Sequence, residues 1–192
     1  ALKLFWDMRW RHQDPVVVTC NAAISACEKG AQWHDALGML MHMRRHELTP
    51  DVISYNAAIS ACSRGVRWQE ALGLFSEVHV CRTESDVITY NAAIYACQRG
   101  AQWQKLVGLF SDMKQRQLES NIYTYNSALT ACEEEALWQE ALVLVADMRR
   151  RRQEPDQGTY RAAITACEKG AQWQEASDIF LDVDWCREGF NS

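Results

Sequence analysis

An asparagine recurs at one place in a repeated phrase: "NAAISAC" begins at Asn21 and again at Asn56, and near copies begin at Asn91 and Asn126. A carboxamide offers both hydrogen-bond donors and an acceptor, which suits it to reading the edge of a nucleobase. Asparagine is also a mediocre helix former, costing roughly 0.5 kcal/mol relative to alanine. Its recurrence therefore indicates a role beyond helix formation. A turn or capping role near the helix start is the alternative.

Each asparagine belongs to a line of matched side chains, here named the asparagine stripe. At about 100° per residue, an apolar residue, the asparagine, a third residue and a cation fall on one helical face. The stripe comprises Val18, Asn21, Ser25 and Lys29, then Ile53, Asn56, Ser60 and Arg64, then Ile88, Asn91, Tyr95 and Arg99. It is the face on which a binding function is expected.

A 35-residue repeat positions these stripes. Tryptophan recurs at Trp33, Trp68, Trp103, Trp138 and Trp173, and Cys27, Cys62, Cys97, Cys132 and Cys167 keep the same step. A fixed period in this range is typical of a solenoid. The predicted units are 17–51, 52–86, 87–121, 122–156 and a degenerate fifth unit, 157–191. Residues 1–16 match the second helix of a truncated repeat, which indicates a piece of a longer protein.

The spacing of apolar residues predicts two helices in each unit. In the first, Cys20, Ile24 and Cys27 share one stripe, and Gly30 follows as a residue favoured just past a helix end. The apolar stripe of the second helix is Trp33, Ala36, Leu37, Leu40 and Met43, and that helix ends before Pro50. Because neither helix can bury its stripe alone, stacked neighbours must complete the core, with the tryptophans predicted as its buried pegs.

Composition limits the remaining possibilities. The 192 residues contain no run near the ~18 apolar residues of a membrane helix and no signal-peptide pattern, so no membrane association is expected. Five of the eight cysteines recur at one helical position, where each would be separated from its equivalents by the thickness of a repeat. This favours buried free thiols and a reducing compartment over disulfides.

Several phrases resemble a known family. Units open with "VISYNAAISAC" or "VITYNAAIYAC", second helices carry "WQEALGLF", and units close with "TPD" or "EPD". With the 35-residue length, the whole chain resembles pentatricopeptide repeats. Tetratricopeptide repeats have a period of 34 and a Trp-x2-Leu-Gly start that "WQEALG" matches only loosely. The expected fold is all-α: an alpha-solenoid, a right-handed superhelix of 35-residue helix-turn-helix repeats.

The resemblance implies binding of single-stranded RNA, one base per repeat, with the N-terminal repeat toward the 5′ end. In that family the fifth and last residues of each repeat choose the base. The implied pairs are Asn21 with Asp51, Asn56 with Asp86, Asn91 with Asn121, and Asn126 with Asp156. By the family's code, Asn with Asp prefers U and Asn with Asn prefers C while tolerating U. The implied target is near 5′-UU(C/U)U-3′.

The family's second residue of each repeat packs against bases, which here implies Val18, Ile53, Ile88 and Tyr123. Lys29, Arg64 and Arg99 would face phosphates, although the solvated end of a helix also favours a cation. The alternative role for Asp51, Asp86, Asn121 and Asp156 is to cap the next helix. Both roles can hold at once, because a carboxylate can cap one helix while orienting its neighbour's amide.

The last two units depart from the pattern. Glu134 and Glu135 replace the lysine–glycine ending, which predicts repulsion of a phosphate and loss of the residue best suited to a left-handed turn. The fifth unit has Gly158 at the apolar position and Arg161 at the amide position, so it is predicted to read no base by the code. It could act as a capping or phosphate-binding repeat.

The formal net charge of −5 opposes the basic footprint usual for nucleic-acid binding. Counting Lys and Arg against Asp and Glu gives +1 for residues 1–16, then −1, −1, +2, −3 and −3 for the five units. Binding is therefore expected to be modest, about micromolar, and confined to the N-terminal and central part, with a log-log salt slope near ~−2 for three neutralised phosphates.

No catalytic pattern is present, so no enzyme activity and no cofactor are predicted for this chain. The sequence lacks G-x-x-x-x-G-K-S/T, G-x-S-x-G, and the H-x-E with C-x-x-C of zinc deaminases. His42 and His46 lie one helical turn apart without an obvious third ligand, so no metal is expected. The arginine run 149–152 is interpreted as a solvated helix end rather than a nucleic-acid patch.

The leading hypothesis is an RNA-binding adaptor for a U-rich strand, with a mitochondrial or chloroplast role in RNA processing, stability or translation implied by the resemblance. A protein-interaction scaffold of the tetratricopeptide type is the alternative, and the acidic balance favours it mildly. An enzyme whose catalytic domain lies outside this chain is a third. The truncated first helix, with Leu2, Phe5 and Met8 lacking a preceding partner, could also mediate dimerisation.

Overall fold

The structure is a computed structural model that describes residues 17–80, 86–172 and 174. Two kinds of 13-residue helix alternate along it. The first helices are α1 (Val17–Lys29), α3 (Val52–Arg64), α5 (Val87–Arg99), α7 (Ile122–Glu134) and α9 (Gln157–Lys169). The second helices are α2 (Trp33–Arg45), α4 (Trp68–Val80), α6 (Trp103–Gln115) and α8 (Trp138–Arg150). The predicted truncated helix over 1–16 lies outside the described residues.

The chain forms two compact units, residues 1–102 and 103–192. In the first unit, α1 packs on α2 and α3, and α3 packs on α4 and α5. The predicted stripe of α1 is buried, with Cys20, Ile24 and Cys27 fully enclosed. In α2, Met39 joins Ala36, Leu40 and Met43 in the core, whereas Leu37 is only half-buried.

In the compact unit 103–192, α7 packs on α6, α8 and α9. Its core includes Leu106 of α6, Leu129 of α7 and Met148 of α8. In each of the two compact units, the apolar stripes of first and second helices are thus buried against helices that neighbour them along the chain, as a repeat architecture requires. The predicted all-α alpha-solenoid of helix pairs is confirmed.

Tyrosines and phenylalanines, and not the described tryptophans, are the aromatic residues of the core. Tyr90 and Tyr125 are fully buried, and Tyr90 packs edge-to-face on Phe75 with ring centroids 5.0 Å apart. The tryptophans of α2, α4, α6 and α8 are half-buried, so the prediction of buried tryptophan pegs is wrong for them. Each is the first residue of its second helix, which puts the ring at one end of the helix pair. Trp173 lies outside the described residues.

The glycine after a first helix makes room for a tryptophan ring. A Cβ built on Gly65 would lie 2.4 Å from Cδ1 of Trp33, and one on Gly100 would lie 2.3 Å from Cδ1 of Trp68. The sequence-based expectation of a left-handed glycine is wrong, since no described glycine has positive φ. The requirement for glycine here is steric.

The left-handed residue is the next one along. The φ angles of Ala31, Val66, Ala101, Ala136 and Ala171 lie between 51° and 59°. The Arg67 N–H then donates to the Cys62 carbonyl at 2.8 Å, which closes a Schellman turn. Glu135, at the glycine position of the fourth unit, has φ −91°, so the predicted conformational penalty there does not arise.

The described recurring cysteines, Cys27, Cys62, Cys97, Cys132 and Cys167, are buried free thiols, as predicted. Burial raises the pKa of the Cys62 and Cys132 thiols to about 12, with Glu70 and Glu140 respectively adding to the effect. These thiols remain protonated near neutral pH and act as core side chains. Within the described part of the chain, none of the helices has the length and apolar character needed to cross a membrane.

Candidate functional site

The first helices α3, α5, α7 and α9 each begin with a side-chain cap. The side-chain oxygen of the preceding Asp or Asn accepts a hydrogen bond from the backbone N–H three residues later. The four distances are 2.9 Å for Asp51 with Ser54, 2.8 Å for Asp86 with Thr89, 2.9 Å for Asn121 with Thr124 and 2.8 Å for Asp156 with Thr159. The capping role weighed from the sequence is therefore present at all four positions.

Three of these caps also hold the side-chain amide of the asparagine in their own repeat. Asn21 Nδ2 donates to both carboxylate oxygens of Asp51, at 3.1 and 3.2 Å. The Nδ2 atoms of Asn56 and Asn126 donate to Asp86 and Asp156, each at 3.3 Å. The structure thus brings together three of the four residue pairs that the resemblance implied. Each of the three carboxylates caps one helix and orients an amide.

The fourth implied pair is divided between the two compact units. Asn91 is half-buried on α5 in the first unit. Asn121 caps α7 in the second unit. Their joint action on a base stays a prediction.

A third side chain contacts each of the three paired amides, and the sequence analysis missed it. The hydroxyls of Ser54, Thr89 and Thr159 lie against Oδ1 of Asn21, Asn56 and Asn126, and the two threonine distances are both 2.7 Å. All three hydroxyl residues are fully buried. A Ser or Thr at the third position of each unit was the available signal.

The carboxylates of this site are charged near neutral pH. Burial acts to raise the pKa of Asp51 and Asp86, but hydrogen bonds from Ser54 or Thr89 and from the paired asparagine outweigh it, so the pKa is lowered. At Asp156 the backbone N–H of Thr159 is the largest influence and lowers the pKa, with burial opposing it. An ionised carboxylate only accepts hydrogen bonds, so it selects the NH₂ end of the amide.

Each paired amide keeps unused hydrogen-bonding capacity. A carboxamide has two N–H donors and two carbonyl lone pairs. At Asn56, one donor is used by Asp86 and one lone pair by Thr89. One donor and one acceptor position of Asn56, which is 9% exposed, are therefore not used by these two bonds.

The apolar members of the asparagine stripe are exposed, as is Tyr123 at the equivalent position of the fourth repeat. Val18, Ile53, Ile88 and Tyr123 have relative exposures of 77%, 60%, 62% and 53%. Each precedes its asparagine by three residues, which places both on one helical face. Large apolar side chains exposed at the same place in successive repeats are typical of a binding surface.

The cations of the stripe are exposed in the last turn of α1, α3 and α5. Lys29 and Arg99 are exposed, and Arg64 Nε lies 3.9 Å from Glu28 Oε1. At the end of α7, Glu134 Oε2 instead lies 3.9 Å from Lys169 Nζ. Among the described first helices, α7 thus carries a glutamate where α1, α3, α5 and α9 carry a cation.

The fifth unit keeps its cap but changes the stripe. Asp156 still caps α9, whereas Gly158 and Arg161 stand exposed at the apolar and amide positions. Together with Gln157 they line an open cleft of about 410 Å³. The structure therefore gives this unit no apolar side chain at that position.

Two other candidate clusters have local explanations. The His42 and His46 rings lie 4.3 Å apart, and among the described residues no group of three ligands that could hold a metal occurs. In the arginine run, Arg149 donates to the Tyr160 hydroxyl at 3.1 Å, while Arg150 pairs with the buried Asp147 at 2.6 Å. The run is bonded to protein groups and is not simply a solvated helix end.

Comparisons with known proteins place these features in a family. A model described as the PPR repeat family matches residues 15–64 and 85–134, and a PPR repeat model matches 53–82 and 123–152. These ranges cover more than half of the chain. No curated protein sequence matches it.

Solved structures show the same fold. Maize PPR10 is 24% identical with a TM-score of 0.69, over 96% of this chain and 26% of that one. PPR10 in complex with an 18-nt psaJ RNA element is 20% identical with a TM-score of 0.67, over 91% and 26%. The PPR domain of Arabidopsis thaliana protein-only RNase P 1 in complex with tRNA is 14% identical with a TM-score of 0.72, over 83% and 84%. The chain spans about a quarter of the length of the maize protein.

Proposed function

This chain belongs to the PPR repeat family, and from that membership we propose that it is a sequence-selective, non-enzymatic adaptor for single-stranded RNA. It contacts one base per repeat through the asparagine stripe. The observation that carries the proposal is the recurrence, at 35-residue intervals, of an exposed apolar side chain three residues before an asparagine. In three repeats that asparagine is bonded to the carboxylate that closes the same repeat and caps the next first helix.

The two groups suit the two surfaces of an unpaired base. An exposed side chain such as Ile53 or Tyr123 offers an apolar contact for the base face, which every base possesses. An amide such as Asn56, held by Asp86, offers one donor and one acceptor for the base edge. Uracil presents carbonyl acceptors and an N–H donor on its pairing edge, so a restrained amide can satisfy it.

The proposed target is near 5′-UU(C/U)U-3′, read by repeats one to four in order. Asn21, Asn56 and Asn126 are each paired with an aspartate, the combination that prefers U in this family. Asn91 and Asn121 form the remaining combination, which prefers C and tolerates U. The third base is therefore the one expected to vary.

If this chain binds RNA as proposed, it would occupy or present a single-stranded segment of a transcript. Two of the similar structures contain RNA, an 18-nt psaJ element bound to PPR10 and tRNA bound to the PPR domain of protein-only RNase P 1. We place the function of this chain in RNA processing, stability or translation in a mitochondrion or chloroplast. The family resemblance supports that location.

The test is fluorescence anisotropy with labelled strands containing UUCU or AAGA. The expected result is saturable binding with a preference for UUCU, and Asn56→Ala weakens that preference because it removes the donor and acceptor beneath the second base. Gln69→Ala is the matched control, since it deletes an exposed amide from α4, a second helix. It should leave binding unchanged.

Equal or absent binding to the two strands would contradict the proposal. Suppose that a fluorescent peptide binds the chain while neither RNA does, and that the Ile53→Ser variant no longer binds the peptide. That result would identify the same surface as a protein-interaction scaffold. Ile53 is suitable because its side chain is exposed and its removal leaves the core intact.

A further inference from the structure

We propose that the hydroxyl at the third position of a repeat is a specificity-determining residue for the base read by the preceding repeat. The inference concerns Ser54, Thr89 and Thr159, and it rests on the RNA-binding function proposed above. Each hydroxyl fixes the amide of Asn21, Asn56 or Asn126 so that a defined donor and a defined acceptor meet the base. Three side chains from two repeats therefore act on one base.

The distances identify the hydroxyl as the closer of the two restraints in the second and fourth repeats. Thr89 Oγ1 lies 2.7 Å from Asn56 Oδ1, whereas Asn56 Nδ2 lies 3.3 Å from Asp86 Oδ1. The fourth repeat repeats these values, with 2.7 Å from Thr159 to Asn126 and 3.3 Å from Asn126 to Asp156. An O–H···O contact is at its preferred length near 2.7 Å, while 3.3 Å is beyond the usual N–H···O range. The carboxylate alone therefore holds these amides weakly.

Burial makes the hydroxyl a rigid support. Ser54, Thr89 and Thr159 are fully buried, so water cannot replace the contact that they make with the amide. Their hydroxyl oxygens also lie close to Oδ1 of the capping aspartate. The distances are 2.9 Å to Asp51, 2.8 Å to Asp86 and 2.9 Å to Asp156, respectively. The single hydroxyl hydrogen is shared between the amide oxygen and the carboxylate oxygen. This shared contact limits rotation of both side chains, and an amide held in one orientation loses less freedom on binding a base.

Helix capping does not explain the contact by itself. At α3 and α9 the hydroxyl also accepts from the backbone N–H of Asp51 or Asp156, at 3.2 Å, which completes a capping box. The start of α5 has only the carboxylate half of that arrangement. Thr89 nevertheless keeps its 2.7 Å contact with Asn56. Thr89 is therefore the position at which the two roles separate best.

The test compares Thr89→Val, which removes the hydroxyl and keeps the shape, with Thr89→Ser, which keeps the hydroxyl as Ser54 does naturally. Binding of the 192-residue chain is measured with strands that differ only at the second base, U against C, A or G. Thr89→Val should reduce the preference for U at that base by about threefold to tenfold, the range of one net hydrogen bond. Thr89→Ser should retain it, and neither variant should alter the preference at the first or fourth base.

Thr165→Val is the matched control. Its hydroxyl donates to the Arg161 carbonyl at 2.9 Å within α9 and contacts no asparagine amide. The control should bind as the unmodified chain does. A Thr89→Val variant that keeps the full preference for U overturns the inference.

A second measurement needs no RNA and no variant at position 89. The side-chain amide of Asn21 is followed by NMR relaxation in the free chain and in Ser54→Ala, a minimal deletion. The amide should be ordered in the free chain and mobile in the variant. Equal order in both overturns the hydroxyl's role even if RNA binds selectively. An amide ordered by Ser54 in a chain that shows no base preference overturns the RNA-binding function instead.

Discussion

At each paired asparagine, one side chain bonds the last residue of its own repeat and the third residue of the next, and still keeps hydrogen-bonding capacity. Asn56 contacts Asp86 and Thr89, and both of these belong to the start of α5. The helix-propensity cost of an asparagine is thereby offset by these two hydrogen bonds in the free protein. A local turn role, the alternative weighed from the sequence, is not needed to explain the residue.

The carboxylates paired with the asparagines of the stripe should make stability depend on pH. The folded pKa of Asp86 is lowered, so its stabilising effect is fully present above the unfolded pKa of about 3.9 and is lost as pH falls through the lower folded value. Asp86→Asn removes this titration while keeping a cap, because Asn121 caps α7 with the same geometry. Urea unfolding of both proteins between pH 7 and pH 3 should show a smaller loss of stability in the variant. Parallel pH profiles would contradict this assignment.

At the scale of the element, the local geometry at the end of a first helix restricts which residues can occupy the turn that follows it. The glycines that follow α3, α5 and α9 each lie against a tryptophan ring, and the left-handed residue comes directly after them. A glycine inside a second helix has a different environment. A Cβ built on Gly38, Gly73 or Gly108 would meet nothing within 4 Å.

This contrast predicts opposite effects on stability for two glycine-to-alanine changes in the compact unit 1–102. Gly73→Ala should raise the free energy of unfolding by about 0.5 to 1 kcal/mol, because alanine restricts the unfolded chain and fits the helix. Gly65→Ala should lower it by roughly 1 to 3 kcal/mol, because its Cβ would lie 2.4 Å from the Trp33 ring. Urea denaturation of the pair measures both, and a shared sign would show that the ring does not set the requirement.

The left-handed valine at the end of α3 is a source of strain. Val66 has φ 59°, a conformation that costs a β-branched residue about 1 to 2 kcal/mol. Val66→Gly should relieve it, less the added freedom of the unfolded chain, and so stabilise by roughly 0.5 to 1 kcal/mol. Thermal unfolding should show a higher Tm. The control Ala101→Gly, at φ 51°, should gain less because alanine is less strained there.

At the scale of the whole molecule, charge opposes RNA binding while its distribution permits it. The net charge is −5, but the exposed cations Lys29, Arg64 and Arg99 end the first helices of the first three repeats. The last two repeats carry most of the acidic excess. Electrostatic attraction is therefore expected to be weak and local.

The salt dependence of RNA affinity follows from these three cations. A plot of log Kd against log salt should have a slope of magnitude about 2 for a single strand that neutralises three phosphates. Lys29→Gln should lower that magnitude by about 0.7, the share of one contact. Arg64→Gln should lower it less, because Arg64 already lies 3.9 Å from Glu28. Titrations at four salt concentrations distinguish these cases, and identical slopes in all three proteins would exclude phosphate contact at these residues.

The sequence by itself determined the helix pairs, the buried cysteines and the exposed apolar residues of the stripe. These features follow from the 35-residue period and the 3.6-residue turn, which are both readable along the chain. The resemblance also indicated which asparagine and aspartate would be neighbours. Their action on bases remains a proposal.

Only the tertiary structure decided how successive repeats meet. The half-buried tryptophans, the steric need for Gly65 and the hydroxyl of Thr89 beside Asn56 all depend on distances between residues about 32 to 33 positions apart. Periodicity places such residues on a helix face, but it does not fix the separation of two faces. Packing of one repeat against the next fixes that separation, because it sets which side chain fills the space between them.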